Sequence, residues 1–336
     1  MKSLAQRLLP RFALLTVVLY YLVVLAGGIV RATGSGMGCP DWPKCYGRLI
    51  PPTDAAQIDF AHLDMKKFEN AWKGSGQDSE LTEELLRKSF SAKATWIEFL
   101  NRCVGALSGL AALGTLVCAL LVRPRSRLLI GVLVVQFVLF GTVAWLGKVV
   151  VDANLLPWKV TLHMALAAAL VTAALFARHL IKPGRTLFIS PSLRWHLLAA
   201  LVLTLAQIFL GTQVREAVDT LPPGDCCDGR VDQLLGTPLV WHRIGAITVL
   251  TLVAIAFFRL KFNPSHDAAA PVLITAMGLV VITEYGAGVV LVLAGIPWLL
   301  QPLHLLLAFI LHGMLFTLLL RSRLQMPAVT PILVTA

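Results

Sequence analysis

The stretch VVLYYLVVLAGGIVRATGSGMGCP, residues 17–40, runs from aliphatic residues straight into an arginine, a series of glycines and a cysteine. A run of that length and polarity is a helix crossing a bilayer, and the Arg31 that ends it marks where the chain leaves the hydrocarbon. The rest of the chain agrees. Hydrophobic residues make up 57% of the 336 residues and charged ones only 14%, and mean hydropathy is +0.78, a balance that excludes an ordinary soluble domain.

Eight apolar segments can be marked, at about 11–30, 94–121, 128–147, 156–177, 193–214, 238–260, 270–293 and 298–320. Each approaches or exceeds the roughly 20 residues a helix needs to span about 30 Å of hydrocarbon. The expected fold is an all-α membrane protein with eight transmembrane helices. The first segment follows MKSLAQRLLPR, as a signal peptide would, but it is longer than a usual signal core and no small-residue cleavage site follows. It is read as a retained helix.

The formal net charge of +11 suggests a nucleic-acid partner until its placement is considered. Lys2, Arg7 and Arg11 precede the first segment, and Arg123, Arg125 and Arg127 separate the second from the third. Arg178, Lys182, Arg185 and Arg194 separate the fourth from the fifth, Arg259 and Lys261 follow the sixth, and Arg321 and Arg323 follow the eighth. These are alternate connections, so the positive-inside rule puts them and both termini in the cytoplasm, as in a multi-pass protein of a bacterial inner membrane. The basic balance is accounted for by topology and leaves no nucleic-acid surface. The opposite side carries the long 31–92 connection, where Asp54, Asp59, Asp64, Glu69, Asp78, Glu80, Glu83 and Glu84 gather. Within it TEELLRKSF suggests a short surface helix with Leu85, Leu86 and Phe90 on its apolar side.

The chain also repeats itself. GGIVRA at 27–32 resembles GTQVRE at 211–216, which gives Arg31 and Arg215 the same place after their helices. LNR places Asn101 beside Arg102 where WHR places His242 beside Arg243. The interval of 62 residues from Asn101 to His163 recurs from His242 to His304. Two four-helix bundles are expected, residues 1–180 with the long external loop and 181–336, related about an axis near the membrane normal.

His163, His242 and His304 therefore occupy three of four repeat-related positions near the outer ends of their helices, and Asn101 occupies the fourth. Neutral imidazole is a good ligand for haem iron, and two facing histidines can hold both axial positions. Packing and interhelical hydrogen bonding are the bland alternative. Arg31, Arg102, Arg215 and Arg243 stand where a membrane-embedded porphyrin would present its carboxylates, although interfacial snorkelling explains such arginines as well.

The halves differ most in WIEFLNR, residues 96–102. Glu98 stands where the second half has Leu239, and it shares a helix face with Asn101, three residues on. A carboxylate inside a membrane helix is costly, so function is its default reading. A division of labour follows. His242 and His304 would keep a six-coordinate haem for electron transfer, while the first half, with His163 alone, would bind a porphyrin whose iron keeps an open or weakly held position beside Glu98. His62, His179, His196, His266 and His312 are read as structural or interfacial.

Cys39 and Cys45 fall on the outer side, and the two prolines of CPDWPKC pre-order the loop between them, so a disulfide is expected, with a soft-metal pair as the alternative. Cys226 and Cys227 are adjacent and unsuited to the same local bridge, and Cys103 and Cys118 read as small apolar helix residues. The glycines of RATGSGMG are turn formers, or else let the backbone approach the flat edge of a macrocycle. No strand precedes them, which excludes a nucleotide loop.

Together VRATGSGMGCPDWPKCYG with IPP at 50–52, WIEFLNR, LH at 162–163, GTQVRE, WHR at 241–243 and PLH at 302–304 resemble the haem A synthase family, over essentially the whole membrane-spanning chain. The resemblance implies oxidation of a methyl group of haem O to a formyl group through hydroxylation steps. It implies a resident haem B on His242 and His304, with Arg215 and Arg243 near it. It implies a substrate site with Glu98 as catalytic residue and His163, Asn101, Arg31 and Arg102 around haem O. It also implies partners, namely an enzyme that makes haem O and an electron donor the sequence does not name, and a homo-oligomer is compatible with it. The chain departs from the family where a histidine usually stands at position 101 and in its adjacent Cys226 and Cys227. A di-haem electron carrier and a non-enzymatic haem-delivery or oxidase-assembly factor are the competing readings.

Overall fold

The computed structural model describes residues 3–74, 76–219, 221, 231–262 and 270–324; Cys226, Cys227 and His266 lie outside the described residues. Helices α1 (Leu4–Ala32), α2 (Met65–Gly74), α3 (Glu83–Ser89), α4 (Ala92–Leu121), α5 (Arg127–Asp152), α6 (Pro157–Ile181), α7 (Pro191–Asp219), α8 (Val231–Lys261), α9 (Ala270–Leu293) and α10 (Leu300–Arg321) follow in order. All except the short α2 and α3 are long and apolar enough to cross a membrane, eight spans in all among the described residues. The protein is an all-α multi-pass membrane protein. The exception to its helicity is a parallel pair of three-residue strands, β1 (Leu187–Ile189) and β2 (Ser322–Leu324), which ties the link between α6 and α7 to the end of α10.

Several helices outrun their apolar runs. Helix α1 begins at Leu4 rather than near residue 11, because Ser3 and Gln6 form a capping box that satisfies two backbone donors at its start. The segment MKSLAQRLLPR is thus mostly part of the helix, and Pro10 is absorbed two turns in. At the other side α7 continues to Asp219, so Arg215 projects from a helix and not from a loop.

Each half is a ring of neighbours in the same order. In the first, α1 packs on α4, α4 on α5, α5 on α6 and α6 on α1; in the second, α7 packs on α8, α8 on α9, α9 on α10 and α10 on α7. Water contributes little drive between helices in lipid, so close approach and interhelical polar pairs hold such rings. Thr16 and Thr115 meet at 3.1 Å between α1 and α4, and Gln136 of α5 donates to the Tyr20 hydroxyl at 3.2 Å. Between the halves α1 and α6 pack on α10. Gly28 lies against Pro302, a methyl group at Gly313 would collide with the Tyr21 hydroxyl, and His312 Nε2 lies 2.8 Å from the Thr172 hydroxyl.

The external connection has its own small core of Tyr46, Ile58, Phe68, Leu81 and Leu86, with α3 where a surface helix was expected and Leu86 as its buried contact. Asp41 shapes the entry. Its carboxylate accepts from the Tyr46 and Gly47 amides at 2.9 and 2.8 Å, stabilising two successive left-handed residues with φ of 55° and 78°. Burial, with Asp41 nearby, pushes the Tyr46 hydroxyl up to about 12.

Candidate functional site

In the second half His242 of α8 and His304 of α10, on helices diagonally opposed in their ring, bring their imidazoles to 6.2 Å between centroids at 73°. That is the span of two imidazoles sharing one metal ion, with about 2 Å for each metal–nitrogen bond once the ring radii are added. Each Nδ1 faces a polar side chain. Gln207 of α7 donates to the His242 carbonyl and sits 3.0 Å from its Nδ1, and Glu284 Oε1 of α9 sits 3.2 Å from His304 Nδ1. A carboxylate behind Nδ1, as at His304, is the kind of group that orients a metal-binding histidine with Nε2 toward its ligand.

A glycine faces each of these rings. A methyl group at Gly211 would sit 3.4 Å from His242 Cε1, and one at Gly288 3.2 Å from His304 Cε1. The first half repeats the pattern with one substitution. A methyl group at Gly147 would sit 3.4 Å from His163 Cε1. Gly147 precedes His163 by the 16 residues that separate Gly288 from His304. At Gly27, which corresponds to Gly211, a methyl group would meet nothing within 4 Å. In the matched intervals of the sequence the position of His242 falls on Asn101. Buried Asn101 Oδ1 and His163 Nδ1 have no hydrogen-bond partner, as is also true of His304 Nδ1 and Glu284 Oε2 in the second half.

Glu98 is 4% exposed and bound on both oxygens. Oε2 accepts from the Cys39 amide at 2.8 Å, and Oε1 from Arg102 one turn along α4. Arg102 also donates to the Cys39 carbonyl at 2.7 Å, and Cys39 and Cys45 are joined by a disulfide. Glu98 and Arg102 therefore clamp the external loop onto the end of α4. Gly38 lets that loop lie down, since a side chain there would strike the Ala94 carbonyl; its role is approach to α4, where the sequence suggested a macrocycle edge. Gly34, at φ 66°, is the turn former. The arginines are not displayed freely either. Arg31 and Arg215 both pair with Asp219, and Arg215 also donates to Gln301 at 3.0 Å. Arg243 follows His242 on α8.

Residues 10–316 match the cytochrome oxidase assembly protein family. The chain belongs to that family. Among its relatives are proteins named heme A synthase. That of Halalkalibacterium halodurans is 24% identical over 318 residues, covering 91% of this chain and 94% of the relative. That of Rickettsia prowazekii is 22% identical over 331 residues, covering 91% and 95%, and that of Shewanella oneidensis 24% over 292, covering 77% and 81%.

For a cytochrome oxidase assembly protein, three features of the site escaped the sequence reading. Glu284 carried a usable signal, an acid inside the apolar run VVITEYGAG, the criterion already applied to Glu98. The glycines facing the rings were legible as the matched intervals from Gly147 to His163 and from Gly288 to His304. Gln207 carried no signal, because its role comes from contact with α8, and Asp219 carried only its i,i+4 spacing from Arg215.

Proposed function

We propose that this protein makes haem A from haem O, oxidising one porphyrin methyl group to a formyl group, and that it does so with two unlike porphyrin sites. Membership of the cytochrome oxidase assembly protein family and relatives named heme A synthase support the reaction. The observation that carries the two-site reading is the asymmetry between halves: two imidazoles 6.2 Å apart in one, and in the other His163, with Asn101 at the position that matches His242 and open space beside Gly27.

In this reading residues 181–336 keep the resident group and 1–180 receive the substrate. His242 and His304 would hold haem B between α8 and α10, with Gln207 and Glu284 orienting the rings and Gly211 and Gly288 leaving them room. A bound haem B would supply one-electron transfer there. On the substrate side His163 would take the iron of haem O, and Asn101, a poor iron ligand, would leave the opposite position weakly held. Arg31 and Arg215, toward the ends of α1 and α7, and Arg102 and Arg243, about three turns inside α4 and α8, would supply countercharge to porphyrin carboxylates. Glu98 keeps a second acceptor lone pair on each oxygen, so it can still accept a proton from, or orient, a hydroxylated methyl group while it holds the loop. The basic connections and both termini would face the cytoplasm of a bacterial inner membrane, with electrons arriving from a separate donor and haem O from the enzyme that makes it.

The test is mass spectrometry of porphyrins extracted after purified protein, haem O, oxygen and a reductant are incubated together. Haem A or its hydroxylated precursor is the expected product. Unchanged haem O beside a reducible low-spin haem would mean an electron carrier, and unchanged haem O alone a delivery factor.

A further inference from the structure

Glu284 lies in the middle of α9, among the aliphatic residues of ITEYGAGVVL, where a carboxylate costs several kcal/mol unless it has a purpose. Its carboxylate faces His304, with Oε1 at 3.2 Å from Nδ1 as a close charge contact not aligned as a hydrogen bond, while Oε2 is buried without a hydrogen-bond partner. Gly288, one turn further, stands against the Cε1 edge of the same ring, so α9 presents to His304 one residue that binds and one that makes room. The first half has no such acid. The residue 141 positions before Glu284, the interval that also separates His163 from His304, is the buried Val143, so no carboxylate stands at the matching place.

We infer that Glu284 is a positioning residue that makes His304 a more strongly donating ligand than His163, setting the resident haem at a lower reduction potential than the substrate-side iron. This rests on the ligand reading of His242 and His304 above. When Nε2 binds iron, the remaining ring proton is on Nδ1 and is donated to the carboxylate, which raises the basicity of the imidazole and favours the oxidised metal. His163, with Val143 where the second half has Glu284, lacks that push. The difference in donor strength runs in the direction that sends electrons from the C-terminal half to the N-terminal half.

The test is a redox titration of the low-spin haem in purified holo-protein, as wild type, Glu284→Gln and Glu284→Asp, with the low-spin electron paramagnetic resonance signal recorded alongside. Glu284→Gln keeps the shape and removes the charge. It is expected to favour the reduced haem about tenfold, about 59 mV upward for a one-electron couple, and to shift the low-spin signal. Glu284→Asp keeps the charge but withdraws it by one methylene, and is expected to move the potential upward by less. A haem-replete Glu284→Gln protein with wild-type potential and signal overturns the inference. If Glu284→Gln is isolated without haem, Glu284→Asp decides, and an unchanged potential in it overturns the inference equally. A wild-type protein whose low-spin haem survives loss of His304 would instead overturn the ligand reading beneath it.

Discussion

Arg31 of α1 and Arg215 of α7, the corresponding arginines of the two halves, end on one carboxylate, that of Asp219. The two arginines thus meet at one carboxylate, which ties the end of α1 to the end of α7. The side chain of Asp219 is 40% exposed, so solvent screens both pairs. Each is worth about 1 kcal/mol or less.

A double-mutant cycle on Arg31→Ala and Asp219→Ala, read by thermal unfolding in detergent, is therefore expected to give a coupling of about 1 kcal/mol or below. A coupling of several kcal/mol would mean that Asp219 is an essential clasp between halves and not a screened surface partner.

Glu98→Gln retains an oxygen to accept from Cys39 and should preserve the fold and the low-spin haem while losing most of the formyl product. Glu98→Ala removes the clamp as well and leaves the Arg102 guanidinium with one partner fewer. It should speed reduction of the Cys39–Cys45 disulfide by added thiol, measured by alkylation and mass shift. Normal haem A yield from Glu98→Gln would remove Glu98 from the chemistry.

The space beside Gly27 has room for the ring that Asn101 lacks. Asn101→His should give haem O-loaded protein an additional low-spin, six-coordinate signal in optical and electron paramagnetic resonance spectra. A spectrum identical to wild type would show that α4 does not face the substrate iron.

Replacing His242 or His304 by alanine should abolish the resident low-spin haem, because either change removes an axial nitrogen, whereas His163→Ala should leave that signal intact and lower haem O retention. Equal loss from all three variants would mean one shared site and not two.

The resident site tolerates little added bulk. Gly288→Ala places a methyl group 3.2 Å from His304 Cε1, closer than most real contacts, while Gly211→Ala faces His242 at an ordinary 3.4 Å. Haem occupancy after purification should fall more for Gly288→Ala than for Gly211→Ala; the reverse order would mean that His304 shifts freely on haem binding.

The membrane helices were legible from the chain alone, because the length of an apolar run and the charges at its ends are local properties that a bilayer reads directly. The matched intervals that single out Asn101, His163, His242 and His304 were legible for the same reason, being counts along the chain. Helix ends were not: Ser3 and Gln6 extended α1 through hydrogen bonds that hydropathy does not register. What only the tertiary structure decided is which groups stand behind the histidines and what occupies the arginines. Glu284 meets His304 and Gln207 meets His242 because consecutive helices pack with those faces together, and Asp219 adds Arg31 to its own-helix partner Arg215 because α1 ends near α7. A polar group's partner in lipid is chosen by that packing, since no water competes for it and the chain itself carries no record of its neighbours.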